Sequence, residues 1–194
     1  MTDRSTIAAT ASEPYTPAIQ VACGLLEAAG YAVRRFAAGS EMEAFVKDGH
    51  AVGVLDLATR ELVGGTAGGS NRLTAAGMAG VPQVISLGGL DAAAFGRTTP
   101  EECDRLGQEI AMKACAARGP TAILVPRRGL SPLDVEGGPH WCPEANDALF
   151  QSLRNWVYGV ELVELDLHVT DAAFGRACAG TLLRLLRVTN VSQS

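Results

Sequence analysis

A chain of 194 residues that is 47% hydrophobic and only 19% charged can bury a sizeable core, which excludes disorder over most of its length. Its formal net charge of −5 argues against a nucleic-acid partner, because gripping a phosphate backbone needs clustered lysine and arginine. No apolar run approaches the roughly 18–20 residues that span a bilayer, and no charged start leads into an apolar segment, so we expect no membrane partner and a cytoplasmic location.

Short apolar runs alternate with amphipathic patterns along the whole chain. "TIAATA" (6–11) reads as a first strand, and a helix follows from about 17 to 29 with Ile19, Ala22, Cys23 and Leu26 on one face and Gly30 ending it. "YAVRRF" (31–36) is a second strand, and Ser40-x-x-Glu43 reads as a capping box opening a short helix. "AVGVLDL" (51–57) is a third strand. After it comes "ELVGGTAGGSNRLTAAG", Glu61 to Gly77, whose four glycines precede a helix expected to start near Ser70. "PQVISL" (82–87) is a fourth strand. In "TTPEE", Thr99 caps, Pro100 suits the first turn and Glu102 completes a second capping box, with Cys103, Leu106, Ile110 and Ala114 repeating at helical spacing. "TAILVP" (121–126) is a fifth strand. A helix over about 143–157, opened by Pro143, turns Ala145, Leu149, Leu153 and Trp156 inward. "VELVELDL" (160–167) is the sixth strand, and a last helix over about 171–187 buries Phe174, Ala177, Cys178, Leu182 and Leu185.

Strands and helices joined by such short connections imply parallel strands and right-handed crossovers. We expect a doubly wound, Rossmann-like α/β fold, a three-layer sandwich with a mostly parallel sheet of about six strands, in one domain with its core over about 5–187 and loose ends at 1–4 and 189–194. The five cysteines, at 23, 103, 115, 142 and 178, form no C-x-x-C pair and fall mostly on apolar helix faces, which fits a reduced, intracellular chain.

Ligands of open parallel sheets bind outside the carboxyl ends of the strands, so the residues just beyond each strand are the candidates. The glycine loop fits neither G-x-x-x-x-G-K-[ST] nor G-x-G-x-x-G. It reads either as an anion site, with Gly68, Gly69 and Ser70 at a helix N-terminus, or as a permissive connection with Ser70 an ordinary cap. Arg127 and Arg128 are suited to bidentate grips on a carboxylate or phosphate, or else to surface pairing with Asp134 or Glu136. His140 is a general base or substrate binder, or a solvated residue stacked on Trp141. His168 is flanked by Asp166 and Asp171, which could orient it for proton transfer or leave it structural. His50 lies at the opposite end of the sheet. Ser86 lacks the leading glycine of a nucleophile elbow, and Cys142 offers an alternative nucleophile at a helix start. No spacing suits a metal.

The blocks "EAAGYAVRRF", "MEAFVKDGHAVGVLDLATRELVGG", "NRLTAAGMAGVPQVISLGGLD", "RTTPEECDRLGQEIA", "ILVPRRGLSPLD", "GGPHWCPEANDALFQSLR" and "VELVELDLHVTDAAF" resemble the UPF0261, or Tm-1-like ATP-binding, family over residues 5 to 187. The resemblance implies a two-subdomain protein about twice this length, of which this chain matches the second. It implies ATP as a possible cofactor, although the residues themselves call for none. An antiviral family member binds ATP and a viral replication protein, which implies a protein-interaction role as one alternative. Arg72, Arg128, Ser131 and His168 keep the family's pattern here. Cys142 replaces its aspartate, and "AAAFG" replaces a longer insertion.

Together these readings lead us to expect a small-molecule enzyme of bacterial metabolism, of hydrolase or lyase type without a metal. Arg72 or Arg128 and the glycine loop would hold an anionic or carbonyl group, Ser86, Arg127 and Ser131 would bind substrate, and His140 or His168 would transfer protons with Asp91, Asp134 or Asp166 orienting them. The alternatives are a nucleotide- or anion-binding module completed by a partner, and a protein-interaction domain. A second copy covering the surface left by the missing half predicts a homodimer or higher homo-oligomer.

Overall fold

The computed structural model describes residues 5–10, 17–63, 72–93 and 96–192. Its centre is a six-stranded sheet of β1 (Thr6–Thr10), β2 (Ala32–Phe36), β3 (Gly53–Ala58), β4 (Gln83–Gly88), β7 (Thr121–Pro126) and β8 (Glu161–Leu165). The strands run in the order β2-β1-β3-β4-β7-β8, and every pair among them is parallel. A two-stranded antiparallel hairpin, β5 (Ala92–Ala93) and β6 (Gly96–Arg97), stands apart. The six expected strands are all present, displaced by a residue or two at their ends.

β3, β4 and β7 are buried at every position, as expected of strands covered on both faces. Alternate residues feed different cores. Ile7, Ala9, Leu55, Leu57, Val84, Ala122 and Leu124 pack with α1 (Pro17–Ala28) and α6 (Ala172–Ser192) on one face. On the other face, Ile85, Leu87, Ile123 and Val125 pack with α4 (Pro100–Cys115) and α5 (Pro143–Trp156). There too, Ala8, Phe36 and Val54 meet α2 (Gly39–Lys47) and the short α3 (Ala75–Ala79). This is the doubly wound, three-layer α/β architecture. Among the described residues no helix is long and apolar enough to cross a membrane.

Both helix pairs close onto glycine. A Cβ at Gly175 of α6 would collide with the Ala18 carbonyl of α1, and one at Gly107 of α4 would lie 2.7 Å from the Ser152 Cβ of α5. The capping box of α4 forms as the sequence implies: Thr99 Oγ1 accepts from the Glu102 amide at 3.2 Å, and the Glu102 carboxylate accepts from the Thr99 amide at 2.8 Å.

Three local expectations are corrected. Ser40 and Glu43 make no capping box; Ala38 is the N-cap of α2 and has no side-chain cap bond, because Glu43 is drawn to donors elsewhere, as described below. Trp156 does not turn inward but is 47% exposed, at the very end of α5 where the helix leaves the sheet. The third helix begins at Ala75 rather than near Ser70, and Ser70 itself lies outside the described residues. Leu73, at a positive φ of 61°, bends the chain into α3.

Candidate functional site

The strand order reverses between β1 and β3, so the crevice for ligands opens at the carboxyl ends around that point. Thr10 and Asp56, paired in register at the ends of β1 and β3, stand there. Asp56 is 1% exposed and takes the Thr10 hydroxyl at 2.5 Å and the Arg72 guanidinium at 2.9 and 3.0 Å. Arg72 is wholly buried. It also donates to Glu61 at 3.1 Å, to Glu43 at 3.2 Å and to the Ala58 carbonyl at 3.2 Å. Gly39 makes room for it, since a Cβ there would run into the guanidinium.

Glu43, in turn, accepts the amides of Leu73 and Ala75 at 2.6 and 2.7 Å, which cap α3 from across the fold. Burial pushes the Glu43 carboxyl up, against the opposing pull of the Ala75 amide and Arg72. Partial burial also pushes Glu61 up, but the Gly39 amide and Arg72 outweigh it and hold that carboxyl below its ordinary value. The structure therefore places Arg72 inside the protein as the hub of three carboxylates, with its guanidinium already engaged.

A second polar group lies on the β4 and β7 side. Asp91, wholly buried, receives both the Ser131 hydroxyl at 2.5 Å and His140 Nδ1 at 2.7 Å on the same oxygen, Oδ2. Its other oxygen, Oδ1, is buried with no partner among the described residues. The sequence put Asp91, Ser131 and His140 in one crescent, and the fold brings them into a single bonded triad.

Arg97 and Asn146, which no local pattern singles out, frame this triad together with Asp134. Arg97 donates to the His140 carbonyl at 2.9 Å and to Asn146 at 2.6 Å, and it also contacts Thr98. Asn146 donates to Asp134 at 2.9 Å, and Asp134 accepts the Leu130 amide at 2.9 Å. The bonds thus run from His140 back to the loop that carries Ser131. Arg97 reaches partners 43 and 49 residues away, a separation that leaves no local pattern to read.

His168 meets the triad through the Ser131 backbone. Its Nε2 meets the Ser131 carbonyl at 3.1 Å, and a carbonyl can only accept, so that nitrogen carries the proton. Its Nδ1 then accepts from the Thr170 hydroxyl at 2.7 Å and the Thr170 amide at 3.2 Å. Both ring nitrogens are engaged, Nε2 with the Ser131 loop and Nδ1 with Thr170 two residues along its own loop. A Cβ at Gly129 would strike the ring at 2.6 Å. Arg128 and Asp166 form an exposed bidentate pair at 2.9 Å, which lowers the Asp166 carboxyl through the Arg128 hydrogen bond and charge. Arg127 pairs with Glu164 at 3.6 Å. Ser86 is buried, and its hydroxyl has no partner among the described residues. Gly68, Gly69 and Ser70 lie outside the described residues. Among the described residues no cluster of three or more His, Cys, Asp or Glu could hold a metal ion.

Beside the triad a cleft of about 250 Å³ opens at the carboxyl ends of β3, β4 and β7. Ser131 is on its wall together with Arg60, Gly89, Leu130, Leu133 and Thr170. The chain can pass so tightly there because Gly88 lies against the Leu57 carbonyl, beside an irregularity in β3 where a side chain would not fit.

A doubly wound α/β protein with a polar triad at the carboxyl edge of its sheet is the class that fold and site define. The chain belongs to the UPF0261 family: the family model described as "Uncharacterised protein family (UPF0261) C-terminal domain" matches residues 4–98 and 94–186. The two matches meet at the β5–β6 hairpin, where the chain has its short "AAAFG" connection. A UPF0261 protein of Clostridium tetani is 32% identical, over 95% of this chain and 54% of its own length. One from Rhizobium meliloti is 33% identical, over 72% of this chain and 43% of its own. The ToMV resistance protein Tm-1 of Solanum lycopersicum is 28% identical, over 88% of this chain and 27% of its own. The chain spans about half the length of the bacterial relatives it matches.

Proposed function

We propose that this protein is a small-molecule enzyme of hydrolase or lyase type, acting on a polar, carbonyl-containing substrate at the carboxyl ends of the central strands. The reading rests on one observation: Ser131 lines the cleft while its hydroxyl donates to buried Asp91, which His140 also engages. In this reading Asp91 is the base for the Ser131 proton. His140 donates Nδ1–H to the same oxygen and holds the carboxylate in place, and Ser131 Oγ acts on the substrate as nucleophile or proton relay. His168 is a positioning residue, acting through the Ser131 carbonyl. The protein works in the cytoplasm as a homo-oligomer, a location that suits its five free cysteines.

The test is a turnover screen over p-nitrophenyl esters, 3-hydroxy acids and β-keto acids. Asp91→Asn, Ser131→Ala and His140→Gln should each lower kcat by about 10²-fold or more, with Ser131→Ala melting as the wild type does. Full turnover in both Ser131→Ala and Asp91→Asn would overturn the assignment. A second reading is a nucleotide- or anion-binding module completed by a partner. Saturable ATP binding by calorimetry, with no turnover anywhere in the screen, would put that reading first.

A further inference from the structure

The arginines expected to hold an anion are engaged elsewhere: Arg72 by Asp56, Glu43 and Glu61, Arg128 by Asp166, and Arg127 by Glu164. Arg97 is held by the His140 carbonyl and Asn146. Arg60 is different. It begins the single 3₁₀ turn after β3 (Arg60–Leu62), lines the cleft, is exposed, and its side chain has no hydrogen bond or ion pair among the described residues. Gly89, at a φ of +79°, leaves the space beside it open, since a Cβ there would lie 3.0 Å from the Arg60 Cβ.

The rest of the described wall sets the other half of the ligand. Ile19, Leu57, Leu130, Leu133 and Val169 are apolar. The two hydroxyls on the wall already donate their hydrogens, Ser131 to Asp91 and Thr170 to His168 Nδ1, and Ser131 Oγ also accepts the Leu133 amide, which leaves each oxygen a further lone pair. Toward a ligand in the cleft they can only accept. Arg60 is therefore the one cationic side chain on the described wall, and the hydroxyls offer oxygen lone pairs to a donor.

We propose that the cleft binds a small monocarboxylate with an apolar carbon skeleton and one hydroxyl or amino donor, its carboxylate held by Arg60. A guanidinium fork matches a carboxylate in shape and charge, and one such charge against an otherwise apolar wall balances a monoanion better than a phosphate dianion. At about 250 Å³ the space lies below the roughly 300–1,000 Å³ of pockets for drug-sized ligands, which suits a small metabolite. This assignment rests on the site proposed above but concerns binding, so it is tested without turnover.

The probes are 3-hydroxy-3-methylbutanoate, its amide, 3-methylbutanoate and orthophosphate, titrated by NMR and calorimetry against the intact chain. The hydroxy acid should bind saturably and more tightly than the other three. Arg60→Gln, which keeps most of the stem, should weaken it at least about tenfold, while Arg128→Gln leaves it unchanged. Equal binding of acid and amide, tighter binding of orthophosphate, wild-type affinity in Arg60→Gln or no saturable binding of the acid would each overturn the assignment. Ser131→Ala separates the two proposals: if it abolishes turnover and Arg60→Gln leaves binding intact, catalysis stands and this ligand class falls. With turnover unaffected in Ser131→Ala and binding lost in Arg60→Gln, the ligand class stands alone.

Discussion

Removing the Arg72 guanidinium would leave Asp56 buried with only Thr10 to satisfy it, and Glu43 and Glu61 without their cation. Breaking a buried pair from one side costs about 3–5 kcal/mol, and Arg72→Ala should lose stability on that order in urea denaturation. A loss under 1 kcal/mol, on the order of an exposed pair, would show that the cluster is not the closed network described. The two glutamates respond to pH in opposite senses. Glu61, held below its ordinary value, contributes stability that is complete above its unfolded-state pKa and is lost as pH falls through the lower folded value. Glu43, raised by burial, binds its proton more readily when folded, so its contribution declines as pH rises from the ordinary glutamate range through the raised folded value. Glu61→Gln should therefore flatten the acid limb of a melting-temperature profile below about pH 4.5, and an unchanged limb would count against this assignment. Residue type was legible here, since an arginine after a glycine loop invites an anion. What the sequence could not show is that the anions are the protein's own, because Glu43, Asp56 and Glu61 converge from three separate segments.

At the scale of elements the local rules held where they were self-contained. Thr99, Pro100 and Glu102 carry a complete capping box within four residues, and it forms. Thr99→Ala should cost about 0.5–2 kcal/mol in denaturant unfolding, with an unchanged midpoint refuting the cap's contribution. Ser40-x-x-Glu43 has the same spelling and fails. Its glutamate finds the amides of residues 73–75 and Arg72 instead, and the Gly39 amide turns to Glu61. A short-range bond to one backbone amide loses to several donors gathered by the fold. Similarly, the apolar spacing that turned Trp156 inward runs one step past the end of the core, since a helical period has no signal for where packing stops.

For the molecule as a whole, exposed apolar residues gather at the C-terminal ends of α4 and α5. Met112 is 58%, Trp156 47% and Tyr158 76% exposed, and the Cys115 thiol ties the two ends through the Trp156 and Tyr158 carbonyls. Association surfaces are marked by contiguous exposed apolar patches. If this face carries the proposed homo-oligomer, light scattering at micromolar concentration should show a dimer or larger species, and the double variant Met112→Asp and Tyr158→Asp should be monomeric. A wild-type monomer would remove the proposal.

The sequence by itself determined the strands, most helices, the parallel direction of the strands and the edge of the sheet where polar residues collect, because burial imposes its period on neighbouring residues. It brought Asp91, Ser131, His140 and His168 to that edge. Only the tertiary structure decided their roles: His168 has its ring nitrogens bound to Ser131 and Thr170, Asp91 joins Ser131 to His140, and Arg60 rather than Arg72 stands on the cleft wall without a side-chain partner among the described residues. Those outcomes depend on which donors and acceptors meet across 40 or so residues of chain, and hydrogen bonds of that reach leave no spacing in the sequence to read.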